Sequence, residues 1–235
     1  MQRDRAALGR VDIEHAQAFF DGMARASEDY ELGVAVGDRG EALVSYNPRV
    51  RTPDIRARVL QTLESVGFDV ALVRDWFERL DPTACSTVVG LESGSRATVY
   101  VEELTRFLGR EGALALAEAC HGPHAVTSHG TPYILALDLP EGRWKLYWLH
   151  TTPPGLVDHP LEAPGATAWI EQRHLNSGSL KLYRCWDYRS GQDGRDEAAA
   201  LFGPLPSLPW PECRVTSLGR RFGNGGYQTV YMAVA

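Results

Sequence analysis

The chain is poor in the features that mark membrane, secreted and nucleic-acid-binding proteins. Its 235 residues contain no apolar run near the roughly 20 residues that span a bilayer. The first five residues, Met1-Gln2-Arg3-Asp4-Arg5, lack the apolar stretch of a secretory signal peptide. A formal net charge of −6 argues against a surface for nucleic acid. We therefore expect a cytoplasmic protein that binds neither a membrane nor a nucleic acid.

Metal-binding and disulfide patterns are also missing. The four cysteines form no CxxC pair, and zinc sites usually have tighter ligand spacing. Because structural disulfides are rare in the cytosol, each thiol is expected to be reduced and buried. A loop with His121, His124 and His129 leaves a metal site open, but no cysteine or carboxylate accompanies them at ligand spacing. A solvated loop is the favoured interpretation, and no metal is predicted.

Hydropathy and turn residues divide the chain into helices and β-hairpins. Helices are predicted over 12–27, from 53 to a break near 67, and over 69–80, 102–120 and 195–202. Five turns that contain glycine each join two strand-like segments. The predicted hairpins are 32–36 with 41–46, 85–91 with 96–101, 133–138 with 143–149, 167–174 with 179–186, and 214–221 with 227–234.

The hairpins recur along the chain. Their second strands are spaced by roughly 40 to 55 residues, within the range of repeat architectures. Ten antiparallel strands that close on themselves would have no exposed edge and would leave more interior room than eight. The predicted fold class is therefore α+β, with residues 1–235 as a single domain. We expect a ten-stranded antiparallel β-barrel built from five αββ(α) repeats, with the helices on the outside.

Four predicted strands end on a polar or cationic residue, one apolar residue and a tyrosine. The segments are Arg96-x-Thr98-x-Tyr100, Arg143-x-Lys145-x-Tyr147, Lys181-x-Tyr183 and Thr229-x-Tyr231. Residues two apart on a strand face the same side, so the cations and the tyrosines share one face. In a closed barrel that face lines a lumen suited to a ligand with an anionic head and an apolar body. On an open sheet it would be an exposed surface, and both interpretations stay open at this point.

With five hairpins and these motifs, the chain resembles the aromatic prenyltransferases of the ABBA, or PT-barrel, family. In that family ten antiparallel strands enclose the active site, and strands with Arg-x-Lys-x-Tyr or Lys-x-Tyr carry its cations and tyrosines. Arg143-x-Lys145-x-Tyr147 is similar to the fullest form of the pattern, and Lys181-x-Tyr183 is similar to the shorter form. The Asp-Asp-x-x-Asp motif of trans-prenyl synthases is absent from this chain, as it is from the family.

The resemblance implies transfer of a prenyl group from an allylic diphosphate donor to an aromatic or other nucleophilic acceptor, either a small molecule or a peptide side chain. The resemblance implies a reaction that requires no cofactor; it allows Mg²⁺ but does not indicate it. The residues expected to bind the diphosphate are Arg96, Arg143, Lys145, Lys181 and Arg214. The tyrosines expected to shield the allyl cation are Tyr100, Tyr147, Tyr183 and Tyr231. The candidates for a general base are Glu92, Glu171 and His150.

Two other functions remain open from the sequence. A non-catalytic barrel that binds a hydrophobic anion would have the same basic, aromatic lumen and no turnover. A five-fold α/β propeller of the guanidine-modifying type would use Cys213 as its nucleophile. Against the propeller, Cys213 precedes a strand and lacks the glycine-rich setting expected of that nucleophile.

Overall fold

The computed structural model describes most of the chain from residue 27 onwards. The described ranges are 27–36, 42–50, 54–80, 86–92, 96–121, 128–152, 154, 166–175, 179–187, 190–202, 213–222 and 228–234. The strands are β1 (Ser27–Val36), β2 (Ala42–Val50), β3 (Ser86–Glu92), β4 (Arg96–Glu102), β5 (Thr131–Leu139), β6 (Arg143–His150), β7 (Ala168–His174), β8 (Leu180–Cys185), β9 (Cys213–Phe222) and β10 (Gln228–Val234). The helices are α1 (Ile55–Ser65), α2 (Ala71–Arg79), α3 (Leu104–His121) and α4 (Arg195–Phe202). The helix predicted over 12–27 lies outside the described residues except at its last position, which begins β1.

The strands pair in a closed ring. Their order around it is β1-β10-β9-β8-β7-β6-β5-β4-β3-β2, and the pairing is antiparallel throughout. Consecutive strands are neighbours, and β1 closes the ring against β10. Because ladder hydrogen bonds join each strand to the next, the sheet is one barrel and not a set of separate blades. The propeller alternative, with Cys213 as nucleophile, is therefore wrong.

Period-two alternation explains the two faces of the barrel, and β6 is a clear example. Trp144, Leu146 and Trp148 are buried on the outer face, where they belong to the main hydrophobic core. Lys145 and Tyr147 alternate with them and face the lumen. The lumen-facing positions of this strand therefore hold polar and aromatic groups, while its outer positions hold the apolar residues that helices cover.

The main core lies between the outside of the barrel and helices α1, α2 and α3. Val59, Leu63 and Phe77 are fully buried there. The Trp76 ring of α2 meets the Trp144 ring of β6 edge-on, with centroids 5.0 Å apart and an interplanar angle of 82°. α3 bends at Gly109, whose φ of 70° a residue with a side chain rarely adopts. No helix in the described part of the chain is long and apolar enough to cross a membrane.

Candidate functional site

The lumen contains a cavity of about 200 Å³. Five tyrosines line it: Tyr100, Tyr133, Tyr147, Tyr183 and Tyr231. The other polar side chains along it are Glu102, Cys185, Thr216 and Ser217, and the apolar ones are Val88, Ile134 and Ile170. For scale, an engineered apolar cavity of about 150 Å³ holds benzene. The open space therefore fits a small apolar or aromatic group.

Four of these rings, Tyr100, Tyr147, Tyr183 and Tyr231, form a continuous line that we call the tyrosine row. They come from β4, β6, β8 and β10, which are alternate strands of the barrel. Neighbouring ring centroids along the row are 6.2, 6.4 and 5.8 Å apart. The structure thus brings together in one cavity the tyrosines of all four strand motifs.

Tyr183 is held in the row by a hydrogen bond and by close packing against β9. Its hydroxyl donates to Gln172 Oε1 at 2.6 Å, in the buried lumen. Burial, with smaller contributions from the neighbouring tyrosines, raises the pKa of Tyr183 well above 10, so the ring is neutral at physiological pH. A Cβ at Gly219 on β9 would come within 2.5 Å of Tyr183 Cε1. Glycine is therefore needed at this position for the Tyr183 ring to occupy its place.

Lys181 lies beside the tyrosine row and is buried. Its Nζ donates to Thr229 Oγ1 on β10, past the intervening strand β9. The same Nζ is 4.7 Å from the centroid of the Tyr183 ring and 5.9 Å from that of Tyr231. Both distances are within the range of cation–π attraction. A hydroxyl and two aromatic rings thus lie beside the Lys181 ammonium.

Lys145 is also buried, but its surroundings differ. Its Nζ is 2.5 Å from Asp138 Oδ1, and both side chains are almost inaccessible to solvent. Thr98 donates its hydroxyl to the same carboxylate oxygen at 2.7 Å. The sequence analysis did not include Asp138, which compensates the charge of Lys145 inside the lumen.

The three arginines of the predicted diphosphate set lie away from the cavity lining. Arg96 and Arg143 are partly exposed at the hairpin end of the barrel, where both approach Glu141, at 3.5 and 3.6 Å. Arg214 is half-buried near Gly191. The structure thus does not bring these guanidinium groups to the tyrosine row.

Two of the three predicted general bases lie on the outer face of the barrel, away from the cavity. Glu171 stands opposite Trp148 and Leu182 in the ladder, on the outer face of the barrel. There it accepts hydrogen bonds from Ser128 at 2.8 Å and from Arg173, and His150 Nε2 lies 3.1 Å from it. His150 is three residues after the lumen-facing Tyr147, and this odd separation puts it on the outer face with Glu171.

Strand parity turns Glu171 and His150 away from the cavity, so the structure does not bring these two candidate bases to the tyrosine row. The side chain of Glu92 is outside the described part of the structure, and its Cα pairs with those of Ser45 and Arg96.

The carboxylate that does line the cavity is Glu102, which the sequence analysis did not select. It follows Tyr100 by two residues on β4, so the two side chains share the lumen face. The same rule that grouped the cations with the tyrosines would have found it. Among the described residues that line the cavity, Glu102 is the only one with a formal charge at neutral pH.

No metal cluster is found in the described part of the chain, where no three His, Cys, Asp or Glu side chains come together. Of the three loop histidines, only His129 has a described side chain, and it is exposed. Neither Cys120 nor Cys185 forms a disulfide bond. Burial raises the pKa of Cys120 to about 11, despite the opposing effect of Arg79.

No protein-family model matches this chain, and no curated protein sequence matches it either. Its fold is similar to the crystal structure of AnaPT from Neosartorya fischeri, an aromatic prenyltransferase of the ABBA type. The TM-score is 0.55 at 15% sequence identity, over 88% of this chain and 78% of AnaPT. The likeness establishes a PT-barrel-like antiparallel fold, which in outline is the fold that the hairpins and the family resemblance predicted.

Proposed function

We propose that the protein is a prenyltransferase of the ABBA type. It moves an allylic prenyl group from its diphosphate to an aromatic or other nucleophilic acceptor inside the lumen. The observation that carries the proposal is the tyrosine row, four rings from four strands at 5.8 to 6.4 Å spacing, with a buried ammonium beside it. The PT-barrel-like fold supports it.

Lys181 is the proposed contact for the leaving diphosphate. Its Nζ is fixed by Thr229 next to two rings of the row, so no reorganisation is needed when charge develops on the leaving group. In a lumen of low dielectric this single charge acts more strongly than it would in water. Lys145 contributes less, because Asp138 already compensates its charge.

The tyrosine row is proposed to hold the allyl cation that ionisation produces. The faces of the rings carry negative partial charge and attract a cation by roughly 0.5–2 kcal/mol each. The raised pKa of Tyr183 keeps that ring neutral, so it shields the cation without trapping it as an ether. The rings also exclude water, which would otherwise convert the cation to an alcohol.

Glu102 is the proposed proton acceptor. In the overall step the allylic C–O bond breaks, pyrophosphate leaves with the electron pair, and the acceptor forms the new bond to the allylic carbon. The proton released by the acceptor passes to the Glu102 carboxylate at the cavity wall. This assignment replaces Glu171 and His150, which face the outside of the barrel.

The repeat structure belongs to the same proposal. On this view residues 1–235 form one domain of five αββ(α) units. Helices α1 and α2 precede the β3–β4 hairpin, α3 precedes β5–β6, and α4 precedes β9–β10. The segments before β1 and most of the segment before β7 are outside the described residues.

The experiment that tests the function is a turnover assay on the full chain. Dimethylallyl and geranyl diphosphate are offered with a panel of phenols, indoles and short peptides, and pyrophosphate release is followed together with the mass of the acceptor. We expect release that depends on the acceptor, with a mass gain of one prenyl group. Tight binding of the diphosphates with no turnover across the panel would favour a non-catalytic barrel that binds a hydrophobic anion.

A further inference from the structure

The backbone that leads into β5 is bound from one side by two side chains of α3. Arg110 donates from Nη1 to the Gly130 carbonyl at 2.6 Å and from Nη2 to the Ser128 carbonyl at 3.1 Å. Thr105 donates its hydroxyl to the Pro132 carbonyl. Carbonyls at every second position of this segment therefore accept hydrogen bonds from one helix.

The bend of α3 at Gly109 lets both donors reach the same segment. Thr105 and Arg110 are five residues apart, which is about 140° around a straight helix, so they would point to different sides of it. Gly109, with its φ of 70°, interrupts the helix between them. A Cβ at this position would meet no atom within 4 Å, so the glycine is needed for its backbone conformation and not for space.

The same segment is bound from another side by Glu171 on β7. Ser128 donates its hydroxyl to Glu171 Oε2 at 2.8 Å, and the Gly130 N–H donates to the Ser128 hydroxyl at 3.2 Å. A Cβ at Gly130 would come within 2.7 Å of the His150 ring, which itself contacts Glu171. Glu171 is almost fully buried and also accepts from Arg173. This buried cluster on the outer face thus fixes the segment against the barrel.

The bound segment ends where β5 bulges. The β5–β6 register shifts between Pro132 and Ile134, which makes Tyr133 the extra residue. Because of the bulge, Tyr133 and Ile134 both line the cavity although they are adjacent. The Pro132 carbonyl that α3 binds belongs to the peptide group that joins Pro132 to Tyr133. The helix therefore contacts the backbone of the bulge itself.

We propose that Thr105, Arg110 and Glu171 are positioning residues for Tyr133. By fixing the segment 128–132 they maintain the bulge that turns the Tyr133 ring into the cavity, where the ring occupies space that a larger ligand would need. The position of the ring does not depend on any reaction. Its effect on ligand size rests on the proposed function, with prenyl diphosphates as the ligands.

The first measurement reports on Tyr133 directly. A fluorotyrosine is incorporated at position 133 of the full chain, and its fluorine NMR signal is recorded with and without a soluble gadolinium complex. Arg110→Met removes both carbonyl contacts, so the signal should shift towards its position in the urea-unfolded chain and relax faster with gadolinium. Arg110→Lys keeps a donor and the positive charge over the Trp148 ring, and its shift should be smaller.

The matched control is Arg79→Met. Arg79 also donates to a backbone carbonyl of α3, that of Ala119 at 2.9 Å, but near the other end of the helix from Thr105. Its removal should leave the fluorine signal unchanged. Gly109→Ala, which strains the bend without a steric clash, should shift the signal as Arg110→Met does. Circular dichroism checks that each variant is folded, and Thr105→Val stands in if Arg110→Met does not fold.

The second measurement is donor selectivity, the ratio of kcat/KM for geranyl diphosphate to that for dimethylallyl diphosphate. Tyr133→Ala and Arg110→Met should each raise this ratio about tenfold, the order of change that space for an added methylene produces. The double variant should raise it no further than Tyr133→Ala, because Arg110 acts through that ring. Arg79→Met should leave the ratio unchanged.

An unchanged fluorine signal in Arg110→Met, or an equal shift in Arg79→Met, would overturn the inference. A shifted signal with an unchanged donor ratio would overturn the effect on ligand size. No turnover with either donor would contradict prenyl transfer instead, and the fluorine measurement would still decide whether α3 positions Tyr133.

Discussion

Two corners of the lumen, each built around a buried lysine, differ in how they hold its charge. Lys145 and Lys181 both precede a lumen-facing tyrosine by two residues and are both buried. At the first corner, Asp138 forms an ion pair with Lys145 at 2.5 Å. At the second, Thr229 and the rings of Tyr183 and Tyr231 surround Lys181.

The difference shows that the shared Lys-x-Tyr motif does not decide which groups surround the lysine charge. A lysine with a carboxylate partner forms a neutral unit that fixes the barrel wall. Lys181 has a hydroxyl and two aromatic rings beside its ammonium, and in the proposed function this ammonium contacts an anionic ligand. The proposed function accordingly gives the Lys181 corner the binding role, and the ion pair at the Lys145 corner is expected to stabilise the barrel wall.

The largest expected effect comes from breaking the ion pair. Asp138→Asn leaves the Lys145 ammonium buried without a counter-charge, which should cost about 3–5 kcal/mol in the free energy of unfolding. Thr229→Val at the other corner removes a neutral partner and should cost about 1–3 kcal/mol. Urea unfolding measures both variants.

The double variant Asp138→Leu with Lys145→Met should recover much of the lost stability, since it leaves no buried charge. If Asp138→Asn is no more destabilised than Thr229→Val, the contrast between the corners is not real.

When turnover is measured instead of stability, the Lys181 corner should be the more sensitive of the two. Lys181→Met removes the proposed contact for the leaving diphosphate and should lower kcat by about a hundredfold or more. The double variant Asp138→Leu with Lys145→Met keeps Lys181 and should lose less than about tenfold by the same reasoning. Steady-state pyrophosphate release, measured on folded variants, gives the comparison. A greater loss in the double variant would reverse the assignment of the two corners.

A smaller effect is expected from filling the space at Gly219. The added methyl of Gly219→Ala would come within 2.5 Å of Tyr183 Cε1 and 2.8 Å of Lys181 Cε, so the second corner must rearrange. Overpacking of this kind should cost about 1–3 kcal/mol in unfolding free energy. In a Tyr183→Ala background the same substitution should cost clearly less, because the clashing ring is gone. Additive costs in the double-mutant cycle would contradict this packing argument.

The smallest expected effect is on how the free energy of unfolding changes at alkaline pH. Burial raises the pKa of Tyr183 in the folded protein above its ordinary value of 10.0. Below pH 10 the Tyr183 hydroxyl keeps its proton in both the folded and the unfolded protein, so its ionisation does not lower the stability there. Above it, the unfolded chain ionises first, so stability falls as the pH rises towards the folded pKa.

Chemical unfolding between pH 9 and pH 11 should therefore show a shallower decline for Tyr183→Phe than for the wild type. Ultraviolet titration of the phenolates should also show one tyrosine that resists ionisation in the folded wild type. Identical slopes in the two proteins would mean that Tyr183 is not protected.

Much of the fold could be predicted from the sequence, because hairpins are local. The turns and the alternation of β3 to β6 indicated strands whose observed bounds differ by only a few residues from the expectation. The shared face of Tyr147 and Lys145 follows from their spacing alone. The same rule, applied more strictly, would have assigned Glu102 to the lumen and His150 to the outer face.

Bulges mark the limit of that rule. Where the β5–β6 register shifts between Pro132 and Ile134, Tyr133 and Ile134 both line the cavity although they are adjacent. Thr216 and Ser217 do the same where the β9–β10 register shifts. Tyr133 could not be placed in the lumen from a period of two, because a bulge depends on the partner strand.

The sequence by itself determined which residues alternate, where the chain turns back, and that four tyrosines share a face with nearby cations. Those properties depend on residues within one hairpin. Only the tertiary structure decided that the sheet closes on itself, that the rings meet in one cavity, and that Asp138 compensates Lys145 while Lys181 lies against two tyrosines. These depend on the register between strands that are distant along the chain, and register is set by the closure and packing of the whole barrel.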